Sequence, residues 1–311
     1  MSFTAQADTF DSDTATLETN SVRRLEPKPL GPDSCTWRDF GSYLFHLMLP
    51  QAFILQSAHP MIDAAVSKEK KYKLDPWGRA KGSVALLWPV VYARPEKAVS
   101  MGKSLREMHR QIKGVDKNGK AYHALDPEAY CWVHMTGFDA TIRMYEMFGT
   151  PVSAAERACI FAEWKQMGAM LGIIDKHIPQ TEEEYWKQFN TMIEERLVHG
   201  DVMDDLMSPW FFANYPKPPQ MTRLPNFLWK AMATPVSWFM HKITINTLPE
   251  SFRRKFQVRV GAVDRLAFRA FALLVRVFYP LTPHDLRYIP LARRAIKDAR
   301  RHPEAYQFNY Q

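Results

Sequence analysis

The strongest constraint on the fold is the spacing of apolar residues, which recur every three or four positions along almost the whole chain. This spacing places apolar side chains on one face of an α-helix, whereas a half-buried strand requires alternation with a period of two. Alternating Val, Ile and Thr runs bounded by turn residues are hard to find. We therefore predict an all-α fold, and 311 residues of which 46% are hydrophobic can bury one substantial core.

Ten helices are predicted, and several of them have recognisable starts. Asp75 precedes Pro76 and Asp126 precedes Pro127, so each pair places a capping carboxylate before a proline suited to the first turn. A turn-rich loop at 114–120 is expected to bring two of the helices antiparallel. The predicted helices cover 37–58, 79–92, 95–113, 127–148, 153–171, 181–198, 222–245, 248–259, 261–278 and 285–301.

The chain is expected to form one helical domain behind a polar tail. Residues 1–35 are predicted to be a disordered tail, and residues 36–311 a single multi-helix domain. Within that domain, 36–216 would form a core, and basic C-terminal helices at 217–311 would pack on it. The sequence has no secretory signal, no long apolar run and no CxxC pair among its three cysteines. We expect a cytoplasmic protein, with peripheral attachment to a membrane as an option.

Positive charge is concentrated in the C-terminal third of the chain. Residues 221–311 carry 16 Lys and Arg but only 5 Asp and Glu, a net charge of +11. On a helix the three residues Arg265, Arg269 and Arg276 fall on a narrow stripe beside Phe268, Phe271 and Val275. This pattern is compatible with a helix lying on an anionic membrane, and a solvated helix face is the alternative. Nucleic acid is not an expected partner, because no reader motif accompanies the charge.

Two of the ten histidines are candidates for a metal site. His109 and His134 each lie on the apolar side of a predicted helix, where imidazole can ligate the iron of haem. The alternative for each is a hydrogen-bonded core histidine. The aromatic stretch between them, which includes Trp132, could form a wall against a flat apolar cofactor.

A second group of candidates precedes these histidines. Arg79 and Ser83 are four residues apart, so they share a helix face and could together bind a haem propionate or a bound oxygen species. Alternatively, Arg79 pairs with an acid such as Asp63 or Asp75. A buried Asp63 would have a raised pKa, which suits acid–base chemistry. Motifs for dinucleotides, phosphate loops, zinc proteases and serine hydrolases are missing from the sequence.

The combination of these segments resembles a known family. It is similar to the haem-dependent oxygenases that include the latex clearing protein, which is a rubber oxygenase, and the oxygenase of the mycophenolic-acid pathway that cleaves a prenyl side chain. The matching segments are Ala58-His59-Pro60, Asp75-Pro76-Trp77-Gly78-Arg79, Arg106-x-x-His109 and, above all, residues 119–136 with Trp132-Val133-His134-x-Thr136. They lie within residues 40–205, with weaker similarity beyond.

The resemblance implies a distantly globin-like core that binds haem b, with His109 as the iron ligand and His134 as the alternative. Arg79 corresponds to the pocket arginine of the family. The basic residue and the threonine that follow it in the family pattern are replaced here by Gly82 and Ser83. Asp63 approximates the distal acid of rubber-cleaving members.

The expected site follows from these assignments. Its catalytic residues would be Arg79, Asp63 and Ser83, and haem would contact His109, His134, Arg79, Trp132 and Thr136. Dioxygen would be the co-substrate, and the substrate would be an apolar unsaturated isoprenoid, prenylated metabolite or lipid that is cleaved at a C=C bond. The alternatives are a non-catalytic haem-binding protein and a haem-free helical protein that binds lipid at a membrane surface.

Overall fold

The computed structural model describes residues 25–308. Within this range the chain forms fourteen α-helices and one antiparallel hairpin of two short strands, so the all-α prediction is confirmed. The helices are α1 Cys35–Asp39, α2 Tyr43–Ser57, α3 Pro60–Glu69, α4 Lys71–Leu74, α5 Pro76–Tyr92, α6 Pro95–Arg110, α7 Pro127–Phe148, α8 Ala154–Met170, α9 Glu182–Thr191, α10 Asp201–Leu206, α11 Asn226–Thr247, α12 Glu250–Lys255, α13 Ala262–Phe278 and α14 Pro290–Arg301. The strands are β1 Lys113–Val115 and β2 Ala121–His123. The comparison of the core with globins stays a prediction.

Helix α7 lies at the centre of the fold and has the predicted bounds. Its first turn is capped by the Asp126 carboxylate, which accepts hydrogen bonds from the backbone N–H groups of Glu128 and Ala129. The helix packs along α2, where the fully buried Asp139 accepts hydrogen bonds from Gln51 at 3.0 Å and Arg143 at 2.8 Å. A buried carboxylate is tolerated here because both partners satisfy it.

The prediction of one helix over 37–58 is wrong in its first part, because the chain forms two helices there, α1 and α2, with a break between them. At Gly41 an added Cβ would lie 2.3 Å from the Cβ of Ala292, so glycine permits close packing against α14. The next residue, Ser42, then caps α2 by accepting a hydrogen bond from the backbone N–H of Phe45. Helix α3 was not predicted; it begins at Pro60 directly after α2 ends.

The loop at 114–120 is the turn of the hairpin rather than a plain connection between α6 and α7. Lys113 pairs with His123 and Val115 with Ala121. Asp116 closes the turn by accepting backbone hydrogen bonds from Asn118 and Lys120 at 2.8 Å each. Strands of three residues are too short to produce a visible alternating pattern, which is why they were not predicted.

The C-terminal helices α11 and α13 pack against α2 and α7. Phe268 and Phe271 contact Phe148 edge-on, with ring centroids 5.8 and 5.9 Å away, and Val275 joins the same cluster. This corrects the expectation that these residues form the membrane-facing surface of α13, because they face the fold instead. None of the helices in the described range is long and apolar enough to cross a membrane.

The predicted N-terminal tail falls largely on residues 1–24, which lie outside the described residues. Residues 25–34 run along α8, where Gln166 donates hydrogen bonds to the backbone carbonyls of Glu26 at 2.9 Å and Lys28 at 3.0 Å. The indole of Trp37 donates to the carbonyl of Leu30 at 2.7 Å. The described chain is therefore bound to the helices from its first residues onward.

Candidate active site

A cavity of about 620 Å³ lies between helices α2, α3, α5, α6, α7 and α8. Most of its walls are aliphatic and aromatic, so a ligand that fills it must be largely apolar. Charged and polar side chains are few along these walls. They include Asp39, Gln56, Glu69, Lys71, Arg79, Ser83, His109, His123, His134 and Thr141.

His109 is the histidine whose surroundings best suit metal ligation. Its Nδ1 lies 2.8 Å from the backbone carbonyl of Leu105, one turn earlier on α6. Because a carbonyl can only accept, Nδ1 carries the proton and Nε2 keeps its lone pair. Nε2 has no hydrogen-bond partner among the described residues, and the ring lines the cavity edge-on to Tyr130. Burial lowers the pKa of His109, which keeps the imidazole neutral.

His134 also lines the cavity, but its ring is more tightly engaged. It stacks on Trp164 with centroids 4.6 Å apart, and its Nε2 donates to the backbone carbonyl of Trp164 at 2.8 Å. Burial lowers its pKa to about 4. Only Nδ1 remains for a ligand, so the structure offers His134 as the second of the two metal-ligand candidates.

Arg79 has neither of the two acidic partners that the sequence allows. Asp75 caps α5 through the backbone N–H of Gly78, and Asp63 accepts a hydrogen bond from the backbone N–H of Val202. Among the described residues the guanidinium forms no hydrogen bond or ion pair, and it lies 4.4 Å above the ring of Phe53. Burial lowers its pKa. Glu69 acts on Arg79 only at longer range, and a partly buried cation without a hydrogen-bonded or ion-paired anion suggests a site for an anionic ligand.

The other two predicted catalytic residues differ in placement. Ser83 lines the cavity four residues after Arg79, as their helical spacing predicts. Asp63 lies outside the lining, because its carboxylate caps the short helix α10 at Val202, with a distance of 2.8 Å. Burial raises the pKa of Asp63, as expected, but this acid does not face the cavity.

Trp132 and Thr136 are buried next to the cavity rather than exposed to it. The Trp132 indole donates to the carbonyl of Leu55 at 2.9 Å, and its ring packs on Phe189. Thr136 accepts a hydrogen bond from Gln56 and donates to Val133. Neither residue is among those that line the cavity. Both belong to the interface of α7 with its neighbours, and they could affect a ligand only through the residues they support.

The cavity residues Tyr130, Gly137 and Thr141 were not predicted, although their helical spacing from His134 indicates them. Tyr130, His134, Gly137 and Thr141 are separated by four, three and four residues, so they share one face of α7, and all four line the cavity. Extending the face of His134 in both directions would have found the others. Gln56 gave no such signal, because it belongs to a different helix.

Comparison with known proteins identifies the family of the chain. The family model described as ER-bound oxygenase mpaB/B'/Rubber oxygenase, catalytic domain, matches residues 37–277. The chain belongs to this family. The matched range includes every cavity residue except Cys35 and Thr36. The family is one of oxygenases, so the protein is an oxidoreductase of that class. No curated protein and no solved structure matches the chain.

Proposed function

We propose that this protein is a haem b-dependent oxygenase that uses dioxygen to oxidise an apolar unsaturated substrate, with cleavage of a C=C bond as the reaction. The observation that carries the proposal is that one apolar cavity is lined by an imidazole Nε2 and by a guanidinium that both lack hydrogen-bond and ion-pair partners among the described residues. The first suits iron, and the second suits an anion. The substrate class would be an isoprenoid, a prenylated metabolite or a lipid.

The donor set fits haem b in three respects. The backbone carbonyl of Leu105 fixes the His109 tautomer, which is the usual way in which a ligating imidazole is oriented. The cavity walls are apolar enough for a porphyrin face. Arg79 supplies a positive charge for a propionate or for a bound oxygen species. When bound, haem would supply the iron that activates dioxygen.

The protein's own residues would then control the reaction. Arg79 and Ser83 would donate hydrogen bonds to negative charge that develops at the distal side. Aliphatic residues of α3 and α5 would bind the substrate and exclude water. Asp63 would have to leave Val202 before it could act as an acid or base, so we assign the proton-transfer role to no residue. The haem-binding core would correspond to 36–216, with 217–311 packed on it.

The test is to reconstitute the purified protein with haem and to record its absorption spectrum. We expect a Soret band at a stoichiometry near one per chain, together with oxygen consumption when an isoprenoid alkene is added. The saturated analogue of the same chain length is the matched control and should give no consumption. Mass spectrometry should find carbonyl products from the alkene alone.

Two results would overturn the proposal in different ways. If no Soret band forms with haem in excess, the cavity binds an apolar ligand without iron, as a haem-free lipid-binding protein would. A full Soret band without oxygen consumption across isoprenoids, prenylated aromatics and unsaturated lipids would leave a non-catalytic haem-binding protein.

A further inference from the structure

One exposed sector of α13 is apolar along the whole length of the helix. Its exposed side chains include six large hydrophobic residues and the alanines between them. The large ones, with their exposed fractions, are Val263 79%, Leu266 69%, Leu273 60%, Leu274 55%, Val277 51% and Phe278 59%. A helix on the surface of a water-soluble protein normally turns polar side chains outward. Leu281, in the turn after α13, continues the same surface with 73% exposure.

The sequence of α13 divides into three sectors around the helix axis. At about 100° per residue, Phe268, Phe271 and Val275 occupy the sector that faces the fold. The second sector contains Arg265, Arg269 and Arg276. The third, about 140° wide, contains the exposed apolar residues and no polar side chain. The arginines therefore form one edge of the exposed apolar sector, and α13 has two apolar sides, of which the fold covers only one.

Helix α11 extends this apolar surface. Its exposed large apolar residues are Phe227 70%, Leu228 41%, Met232 51%, Val236 58%, Trp238 48% and Phe239 42%, and the charged Lys230 is exposed beside them. The two helices are in direct contact, because the ring of Phe239 lies 5.1 Å from that of Phe271 and Lys242 pairs with Asp264 at 2.9 Å. We call the exposed large apolar residues of α11 and α13 named above the α11–α13 face. Exposed apolar patches of this extent mark binding surfaces.

Charge indicates what covers this face. The last 91 residues carry 16 basic and 5 acidic side chains, and the arginine sector borders the apolar one. A second copy of the chain would bring two positively charged surfaces together, whereas anionic lipid headgroups would neutralise them. The three arginines keep α13 from entering a bilayer deeply, and the helix does not qualify as a membrane span.

We propose that the α11–α13 face docks on an anionic lipid bilayer, with α13 parallel to its surface and Leu266, Leu273, Leu274 and Val277 inserted among the acyl chains. This is the geometry of interfacial amphipathic helices, whose basic residues lie at the headgroups. The proposal goes beyond the oxygenase chemistry and does not depend on it.

Docking on this face would connect the bilayer to one wall of the cavity. The indole of Trp229 on α11 donates to the carbonyl of Tyr215 at 3.1 Å. Tyr215 packs edge-on against Trp77 at the start of α5, and Trp77 donates to the carbonyl of Pro216 at 2.8 Å. Helix α5 contributes Arg79 and Ser83 to the cavity. An apolar molecule dissolved in the bilayer would therefore meet helix α11, which is linked through Tyr215 and Trp77 to helix α5 of the cavity wall.

The experiment is flotation of the full-length protein with vesicles of phosphatidylcholine, with and without about one-third phosphatidylserine. We expect flotation with the anionic vesicles only, weakening as salt rises, because screening limits headgroup attraction to about 8 Å at physiological salt. The double variant Leu273→Gln/Leu274→Gln should reduce the bound-to-free ratio by about tenfold or more. Its matched control is Val115→Gln/Val198→Gln, two exposed valines outside the face, which should float like the wild type.

The electrostatic part has its own variant. Arg269 forms no hydrogen bond or ion pair among the described residues, so Arg269→Gln leaves the fold intact and should lower flotation a few-fold. Arg110→Gln, an exposed arginine on α6, is the control and should leave flotation unchanged. Quenching of Trp238 by brominated lipids, lost in Trp238→Phe, would locate α11 at the acyl-chain boundary.

Three results would overturn the proposal. The first is failure of the wild type to float at low salt. The second is equal flotation of the wild type and the Leu273→Gln/Leu274→Gln variant, with circular dichroism showing both folded. The third is a dimer in light scattering that the same double variant dissociates, since the face would then be a protein–protein interface.

Discussion

In the cavity, the His109 Nε2 and the Arg79 guanidinium lie among apolar walls without a hydrogen-bond or ion-pair partner in the described chain, while on the α11–α13 face the side chains of Leu266 and Leu273 lie in the open. Elsewhere some buried polar groups are satisfied, as Asp139 is, and others, such as Nδ1 of His59, also lack a partner among the described residues. A fold stabilised only by itself would bury the leucines and pair the arginine. We attribute the difference to the two proposed partners: haem would meet the unpaired polar atoms of the cavity, and an anionic bilayer would cover the exposed leucines.

The largest effect should come from a residue that lies beside the cavity without lining it. We expect Trp132→Ala to lower the free energy of unfolding by about 3–5 kcal/mol, because it removes a fully buried ring and leaves the Leu55 carbonyl unsatisfied. Urea unfolding of the haem-free protein measures this. Trp77→Ala, at an indole that is 37% exposed, is the control and should cost about 1 kcal/mol. Equal costs would contradict the placement of Trp132 in the buried interface of α7.

Acid should destabilise the cavity region through His134. Its pKa is about 4 in the fold and about 6.5 in an unfolded chain, so between these values the unfolded chain binds the additional proton. The stability from the neutral ring is complete above pH 6.5 and is lost as the pH falls toward 4, by roughly 3 kcal/mol in total. His134→Gln should flatten this dependence in urea unfolding at pH 7, 5.5 and 4.5. An unchanged slope would mean that other groups cause the acid sensitivity.

Arg79 should matter for turnover but not for stability. We expect Arg79→Met to leave the free energy of unfolding of the haem-free protein equal or up to about 1 kcal/mol higher, because it removes a partly buried charge without a partner. Oxygen-dependent turnover should fall at least about tenfold. A loss of stability above 2 kcal/mol, with turnover reduced only in proportion to the folded fraction, would make Arg79 a structural residue.

The smallest effect should appear on the exposed sector of α13. Leu274→Gln should change the free energy of unfolding by less than about 0.5 kcal/mol, since the side chain is 55% exposed. The matched substitution on the covered side, Phe268→Gln, should cost about 2 kcal/mol or more, because Phe268 packs against Phe148. Thermal unfolding of the two variants measures this difference in stability. If both cost the same, the two apolar sides of α13 are covered alike and the α11–α13 face is not free.

Local signals in the sequence predicted the parts of the fold that depend on neighbouring residues. The start of helix α7 was predicted because Asp126 caps it and Pro127 suits its first turn. Helix α3 was missed because Pro60 was taken as the end of the preceding helix, although a proline in the first turn is equally a start. Helix α10 was missed because it has only six residues and depends on a carboxylate from α3.

The candidate site was predicted only as far as helix geometry allows. Arg79, Ser83, His109 and His134 all line the cavity, because each lies on a helix face that the apolar pattern reveals. The placement of Asp63 could not be predicted, since its partner Val202 is 139 residues away. Helix α13 has the same limit, because it has two apolar sectors and the sequence alone does not indicate which of them packs against the fold.

If His109 binds the iron of haem in this cavity, as we propose, its removal should lower the haem content per chain. The measurement is the Soret absorbance after reconstitution of the wild type, His109→Ala, His134→Ala and the surface control His302→Ala, each verified as folded by circular dichroism. We expect one haem per chain in the wild type and the control, and at least a tenfold loss in His109→Ala. Full haem content in His109→Ala, together with its loss in His134→Ala, would show that His134 and not His109 binds the iron.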